Sequence, residues 1–212
     1  MVAIAQKSTA PLGEQRVVFH HLDWQKYLTI LSTLGEARSA RLTYDAGVLE
    51  ITMPLEEHEA ASELLALYIR ILVEELGFRL KSMGSTTLNY PELEKGAEPD
   101  KGYYIQNYSQ VAGRKVDFSQ DPPPDLVVEV DITHTDIDKL TLYSSMGIPE
   151  FWRFNGKTLH FYVLKDGHYT ENSESPTFPS IPKDRFYSFL EIALEDEVTA
   201  SQSLRTWLSN LG

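Results

Sequence analysis

Residues 125–132 read Asp-Leu-Val-Val-Glu-Val-Asp-Ile and follow three consecutive prolines, Pro122 to Pro124. No other segment restricts the fold so strongly. The prolines impose an extended approach, and the run of β-branched residues after them predicts a strand. Alternate residues of a strand share a face, so Leu126, Val128 and Val130 form a plain apolar side, while Asp125, Val127, Glu129 and Asp131 share the other. Glu129 and Asp131 then stand about 7 Å apart at the strand end. If the strand is central, these carboxylates need hydrogen-bonded partners, basic side chains or a divalent cation, because a stranded buried charge costs several kcal/mol. A helix is expected next, from about Asp136 to Met146, with Thr135 as N-cap and Gly147 and Pro149 as its stop.

The rest of the chain supplies layers for that strand. Residues 1–16 show no periodicity and read as a loose N-terminal arm, leaving 17–212 as a single domain. Trp24, Tyr27, Leu28, Ile30, Leu31 and Leu34 recur at helical spacing before Gly35. Residues 42–53 read as a hairpin turning at Asp45-Ala46-Gly47, with Gly47 at positive φ. Residues 56–76 form a long amphipathic helix whose stripe runs through Ala61, Leu64, Leu65, Tyr68, Ile71 and Leu72. Short extended runs follow at 78–83, 85–90 and 100–105, then an aromatic hairpin FWRFNGKTLHFYVL, then two short helices over 183–210. Helices, a mixed sheet interrupted by a helix, and terminal helices make an α/β fold with an N-terminal β-hairpin and C-terminal helices.

Composition narrows the function classes. The chain has no cysteine, so it has no disulfide, thiolate metal site or cysteine nucleophile. No apolar run approaches the roughly 18–20 residues of a membrane helix. The start of the chain lacks the apolar core of a secretory signal, and the expected location is cytoplasmic. The formal net charge of -12 argues at first against a polyanionic partner.

A second candidate acid is Asp100. Pro99 gives it an extended entry, and the next residue on its face, Gly102, leaves space for a ligand. If its strand neighbours that of Glu129, the two carboxylates converge on a hard cation, typically Mg²⁺. Lys139, early in the following helix, can reach back over the strand end. Carboxylates that hold a metal and a lysine that orients water are the groups phosphodiester hydrolysis requires. The bland readings are solvated strand-end acids, or ion pairs with Lys101 or Lys139. Asp125 reads as a structural turn residue. His58 reads as a surface or structural histidine with an accessory role as the alternative, and His134 is open between the two. No histidine has zinc-ligand spacing.

At this point Pro99-Asp100, Asp125-Leu-Val-Val-Glu129-Val130, and Asp136-Ile-Asp-Lys139 running through Tyr143 to Gly147-Ile-Pro-Glu-Phe-Trp152 resemble a known family. It is the putative restriction endonuclease family of Uma type, within the PD-(D/E)xK nuclease superfamily. The resemblance extends from the hairpin at Tyr44 and Gly47, through Leu55 to Glu59, to the aromatic hairpin. It implies a restriction-endonuclease-like mixed β-sheet core flanked by helices, with Asp100 and Glu129 as the paired acids. It also implies a Mg²⁺-dependent nuclease, with Mn²⁺ as a possible substitute, acting on nucleic acid, most simply DNA, as a homodimer. The pattern places a lysine two residues after Glu129, where this chain has Asp131. Lys139 is then the displaced lysine, and Asp131 becomes a further metal-ligand candidate. The superfamily often adds an acid from the helix before the sheet. Carrying the apolar stripe back one turn selects Glu57 over Glu59. Catalytic candidates are therefore Asp100, Glu129, Lys139 and Glu57, and metal candidates are Asp100, Glu129 and Asp131. The alternatives are a catalytically inactive nuclease-fold binding module and, from another class, a carboxylate-pair glycoside hydrolase. Arg70, Arg79, Lys81, Lys101, Arg114 and Lys115 are the expected basic residues around the site.

Overall fold

The computed structural model of the chain describes residues 15–132, 135 and 137–211. Residues 1–14 of the expected arm lie outside them, while Gln15 and Arg16 already belong to strand β1, Gln15–Phe19. Helix α1 (Trp24–Leu34) begins at an Asp23 cap and ends at Gly35, as its spacing predicts. Strands β2 (Arg41–Asp45) and β3 (Val48–Met53) pair antiparallel across a turn in which both Ala46 and Gly47 have positive φ. Helix α2 covers Glu56–Glu75. The extended runs become β4 (Lys81–Gly84), β5 (Leu88–Tyr90) and β7 (Lys101–Tyr104), with β6 (Lys95–Ala97) a further, unexpected strand between the last two. Then come the short α3 (Tyr108–Val111), β8 (Leu126–Val130) and α4 (Lys139–Ser145). Strands β9 (Glu150–Phe154), β10 (Leu159–Lys165) and β11 (His168–Asn172) form a meander, and helices α5 (Lys183–Ala193) and α6 (Glu197–Ser209) follow. No helix among the described residues is long and apolar enough to cross a membrane.

The strands form two sheets rather than one. The larger has the order β11-β10-β9-β8-β7-β4 and is mixed, since β8 runs parallel to β9 while its other pairings are antiparallel. Strand β8 is buried along its whole length, as expected of a central strand covered on both faces. Val128 and Val130 join Trp152, Phe154, Phe186 and Leu204 in the core beneath α2, α5 and α6. Val127 faces the other way and packs with Leu142, Tyr143 and Phe151 beneath α4. Each such large apolar side chain, once buried, contributes roughly 1.5–3 kcal/mol, and strict alternation makes a one-residue slip of β8 forfeit both cores.

The hairpin is the centre of the second sheet, ordered β1-β3-β2-β6-β5. Leu42, Tyr44 and Leu49 pack on Trp24 and Tyr27 of α1. Gly96 on β6 is required here, because a Cβ would lie 2.3 Å from the Tyr27 hydroxyl. The opposite face is polar. The register pairs Arg41 with Thr52 and Thr43 with Glu50, and Thr43 and Glu50 are nevertheless buried. That polar face meets the strand ends where the candidate acids lie.

Candidate active site

The register of β7 and β8 pairs Lys101 with Val128, so Asp100 continues the ladder opposite Glu129. The Val130 amide donates to Asp100 Oδ2 over 2.6 Å. Both acids are buried, at 2% and 3% exposure. Asp100 is held by two further groups from distant parts of the chain. Arg41 Nη1 pairs with its Oδ1, and His58 Nε2 lies 3.3 Å from its Oδ2. Glu98 fixes this approach: it accepts the Leu42 amide at 2.8 Å and also binds Arg38 and Thr87. The segment leading to Asp100 is thereby clamped to the backbone next to Arg41.

Glu129 projects to the α4 side. Lys139 Nζ is 2.8 Å from its Oε1, and the Tyr143 hydroxyl donates to the same oxygen. Lys139 and Tyr143 are four residues apart, so one helix face delivers both donors. Burial first, and Glu129 second, push the Tyr143 hydroxyl well above its ordinary range, which keeps it a donor. Glu129 Oε2 takes no partner among the described residues. Helix α4 starts three residues later than expected, because Asp138 caps it by accepting the Leu140 and Thr141 amides. Bonds from the Thr141 hydroxyl hold Asp138 below the usual carboxylate range. Thr135, the expected cap, instead donates to Glu50 of β3 over 2.6 Å. His134 and Asp136 lie outside the described residues.

The structure places Glu57, Asp131 and Gly102 as follows. Glu57 is exposed, and its neighbour His58 is buried at 6%. The buried row runs through Ser62, Leu65, Ile69 and Leu72, and stepping back by one helical repeat from Ser62 lands on His58. Glu59, rather than Glu57, approaches the site, with Oε1 2.7 Å from Arg41 Nη2. Asp131 does not join Asp100 and Glu129 in a three-ligand cluster. Its carboxylate lies 2.8 Å from Arg153 Nη2, the cross-strand neighbour of Glu129 on β9. At Gly102 an added Cβ would stand in ordinary contact with Met83, at 3.5 Å, and Pro124, at 3.9 Å.

The basic residues are also redistributed. Lys81 sits opposite Tyr104, the far end of β7 from Asp100. It shares a surface depression with Arg114 and Lys115, and Arg79 lines another. Neither depression touches the acids. Lys101 pairs with Glu63 at 2.5 Å. The cations at the site are instead Arg41, Lys139 and Arg153, one for each of Asp100, Glu129 and Asp131. Arg41 and Arg153 escaped sequence reasoning, while His58 reads from sequence as a surface or structural histidine with an accessory role as the alternative. Only the 62-65-69-72 row could have pointed to His58.

Asp125 has the structural part that was expected of it. It accepts the Ile105 and Asn107 amides at 2.7 and 2.9 Å and the Asn107 side chain at 2.6 Å.

The described residues contain no group of three or more His, Asp or Glu side chains able to hold a metal ion. Two hard carboxylates in register, one with a free oxygen, still fit a cation such as Mg²⁺, which retains several waters and takes one or two carboxylates. The fit is incomplete at Asp100 Oδ1, which Arg41 occupies.

Residues 24–195 match the family described as Uma2, "Putative restriction endonuclease". The chain belongs to that family. The match spans the first helix, the hairpin, both strands bearing the acids and α5, so the site lies wholly inside the family region. No curated protein matches the chain. Among solved structures it is similar to a "putative nuclease belonging to DUF820" from Anabaena variabilis ATCC 29413. That likeness has 12% identity and a TM-score of 0.49, and covers 79% of this chain and 98% of that one. The assignment to the family rests on the family match.

Proposed function

We propose that the protein is a metal-dependent nuclease that hydrolyses phosphodiester bonds in DNA, with Asp100, Glu129 and Lys139 as its working groups. The observation that carries this reading is the pairing of Asp100 and Glu129 across adjacent strands, with Lys139 2.8 Å from Glu129. Asp100 Oδ1 and Glu129 Oε2 would hold Mg²⁺, with Mn²⁺ as a substitute. When bound, the ion would acidify a water and offset charge on the reacting phosphate. Lys139 keeps its ammonium at the strand end through Glu129 Oε1 and donates to the attacking water, orienting it toward phosphorus. Tyr143 fixes the Glu129 carboxylate through Oε1 and leaves Oε2 to the ion. Asp131 serves as the counter-ion of Arg153, and Glu57 takes no part. Two copies acting together would suit cleavage of both strands of a duplex.

A second reading is a nuclease-fold binding module without activity. The observation favouring it is the balance of three acids by three internal cations, including Asp131 at the usual lysine position. Incubating supercoiled and linear duplex DNA with the protein and Mg²⁺ or Mn²⁺ separates the two. Cutting by wild type that disappears in Glu129→Gln and Lys139→Ala supports the nuclease. DNA retention without cutting, equal in all three proteins, supports the binding module.

A further inference from the structure

Asp100 is held in two chemically different ways. On Oδ2 the Val130 amide and His58 meet it, and the amide belongs to a central strand that cannot withdraw. On Oδ1 the partner is the tip of a long, flexible side chain, Arg41, which is 17% exposed and already bonded through its other nitrogen to Glu59. Glu59 is 44% exposed, so a guanidinium that leaves Asp100 keeps a carboxylate partner and regains water on the same side. We infer that Arg41 is an exchangeable counter-ion: it neutralises Asp100 in the metal-free protein and passes to Glu59 when a divalent cation takes Oδ1.

The inference rests on the metal-site reading above and adds a control to it. Two cations cannot share one carboxylate oxygen without strong repulsion. The apparent metal affinity is therefore the intrinsic affinity reduced by the fraction of molecules in which Arg41 has left. Arg41 is thus a positioning residue whose removal improves metal uptake, the reverse of what loss of a structural ion pair does. Glu59 acts in the opposite sense, because without it Arg41 has no resting place other than Asp100.

The test is calorimetric titration of the full chain with Mn²⁺, wild type against Arg41→Gln, Arg41→Lys, Glu59→Gln and Arg153→Gln. Cooperative thermal unfolding of each protein checks the fold. Arg41→Gln is expected to bind at least about tenfold more tightly than wild type, as removing a competitor that occupies the site nine-tenths of the time requires. Arg41→Lys, which restores a cation, should stay near wild type, and Glu59→Gln should bind more weakly. Arg153→Gln removes a nearby positive charge without freeing Asp100, and should gain less than about threefold. Equal or weaker binding by Arg41→Gln, or an equal gain in Arg153→Gln, overturns the exchange while leaving the metal site standing. Should Arg41→Gln not fold, Glu59→Gln decides, and unchanged or tighter binding there overturns the exchange. If neither wild type nor a folded Arg41→Gln takes up Mn²⁺, the metal-site reading fails and the exchange with it.

Discussion

The two ends of the parallel pair β8–β9 both bury carboxylates, yet they do so with opposite chemistry. At the end where the strands begin, Asp125 is satisfied by two amides and an asparagine. Beside it, Glu150 is satisfied by the Trp152 indole and by the amide and hydroxyl of Thr177. Every donor there is neutral, and half of them are backbone amides. At the end where the strands finish, Glu129, Asp131 and the neighbouring Asp100 are met by Lys139, Arg153 and Arg41. Those donors are charged tips on long side chains, and Arg41 is the one proposed to give way to another cation. A buried acid held by rigid neutral donors is a fastening. One held by a flexible cation is a site whose partner can be exchanged. The distinction lies in the donors, since burial is almost the same at both ends.

The strongest way to break this comparison is Glu129→Gln. The amide preserves shape and still accepts from Tyr143, but removes the charge. Cleavage of duplex DNA should fall about a thousandfold, with the urea midpoint nearly unchanged. Wild-type cutting rates in this variant would return Glu129 to the class of fastenings. The reverse pattern is expected of Asp125→Ala. It strands two amides and the Asn107 side chain, and should cost roughly 3 kcal/mol in urea unfolding. Any folded fraction should keep normal Mn²⁺ uptake, and loss of uptake without loss of stability would erase the contrast.

A smaller effect sharpens the working end. Tyr143→Phe leaves Lys139 as the sole donor to Glu129 Oε1, and should slow cleavage about tenfold by raising the freedom of the carboxylate rather than its charge. A kcat unchanged within error would make Tyr143 a packing residue. The smallest effect belongs to an exposed pair. The Arg114 guanidinium, and then the Asp117 amide, hold Asp121 down at about 2. A folded pKa below the ordinary 3.8 contributes stability above about pH 4, and that contribution fades as pH falls toward 2. Asp121→Asn should therefore lower stability at neutral pH and progressively less as pH falls toward 2, so that the acid limb of its stability-against-pH curve is flatter than that of the wild type. A change at pH 3 as large as or larger than that at pH 7 would contradict the assignment.

Much of the fold was legible from local pattern. The α1 spacing, the turn at Gly47, the alternation in β8 and the amphipathic α2 are properties of adjacent residues, and each element stands where its period puts it. The second sheet as a whole was not legible, because β6 is a three-residue strand that exists through its pairing with β2 and β5. The start of α4 was missed for a related reason. Thr135 is a good cap in isolation, but a carboxylate from another sheet claims its hydroxyl.

The same division runs through the site. The sequence by itself determined which acids share a face, that Asp100 and Glu129 could meet, and that Lys139 lies early in the next helix, since strand alternation and helical phase are local. Only the tertiary structure decided their partners. Arg41, His58 and Arg153 come from three elements whose spacing along the chain carries no common signal. Coulombic pairing acts through space, so the charge balance of a buried acid is set by whichever strand or helix the fold packs beside it. That balance is why an acidic chain carries a centre whose acids and cations match one for one, and why the identity of the cation at Asp100 is the question the structure raises.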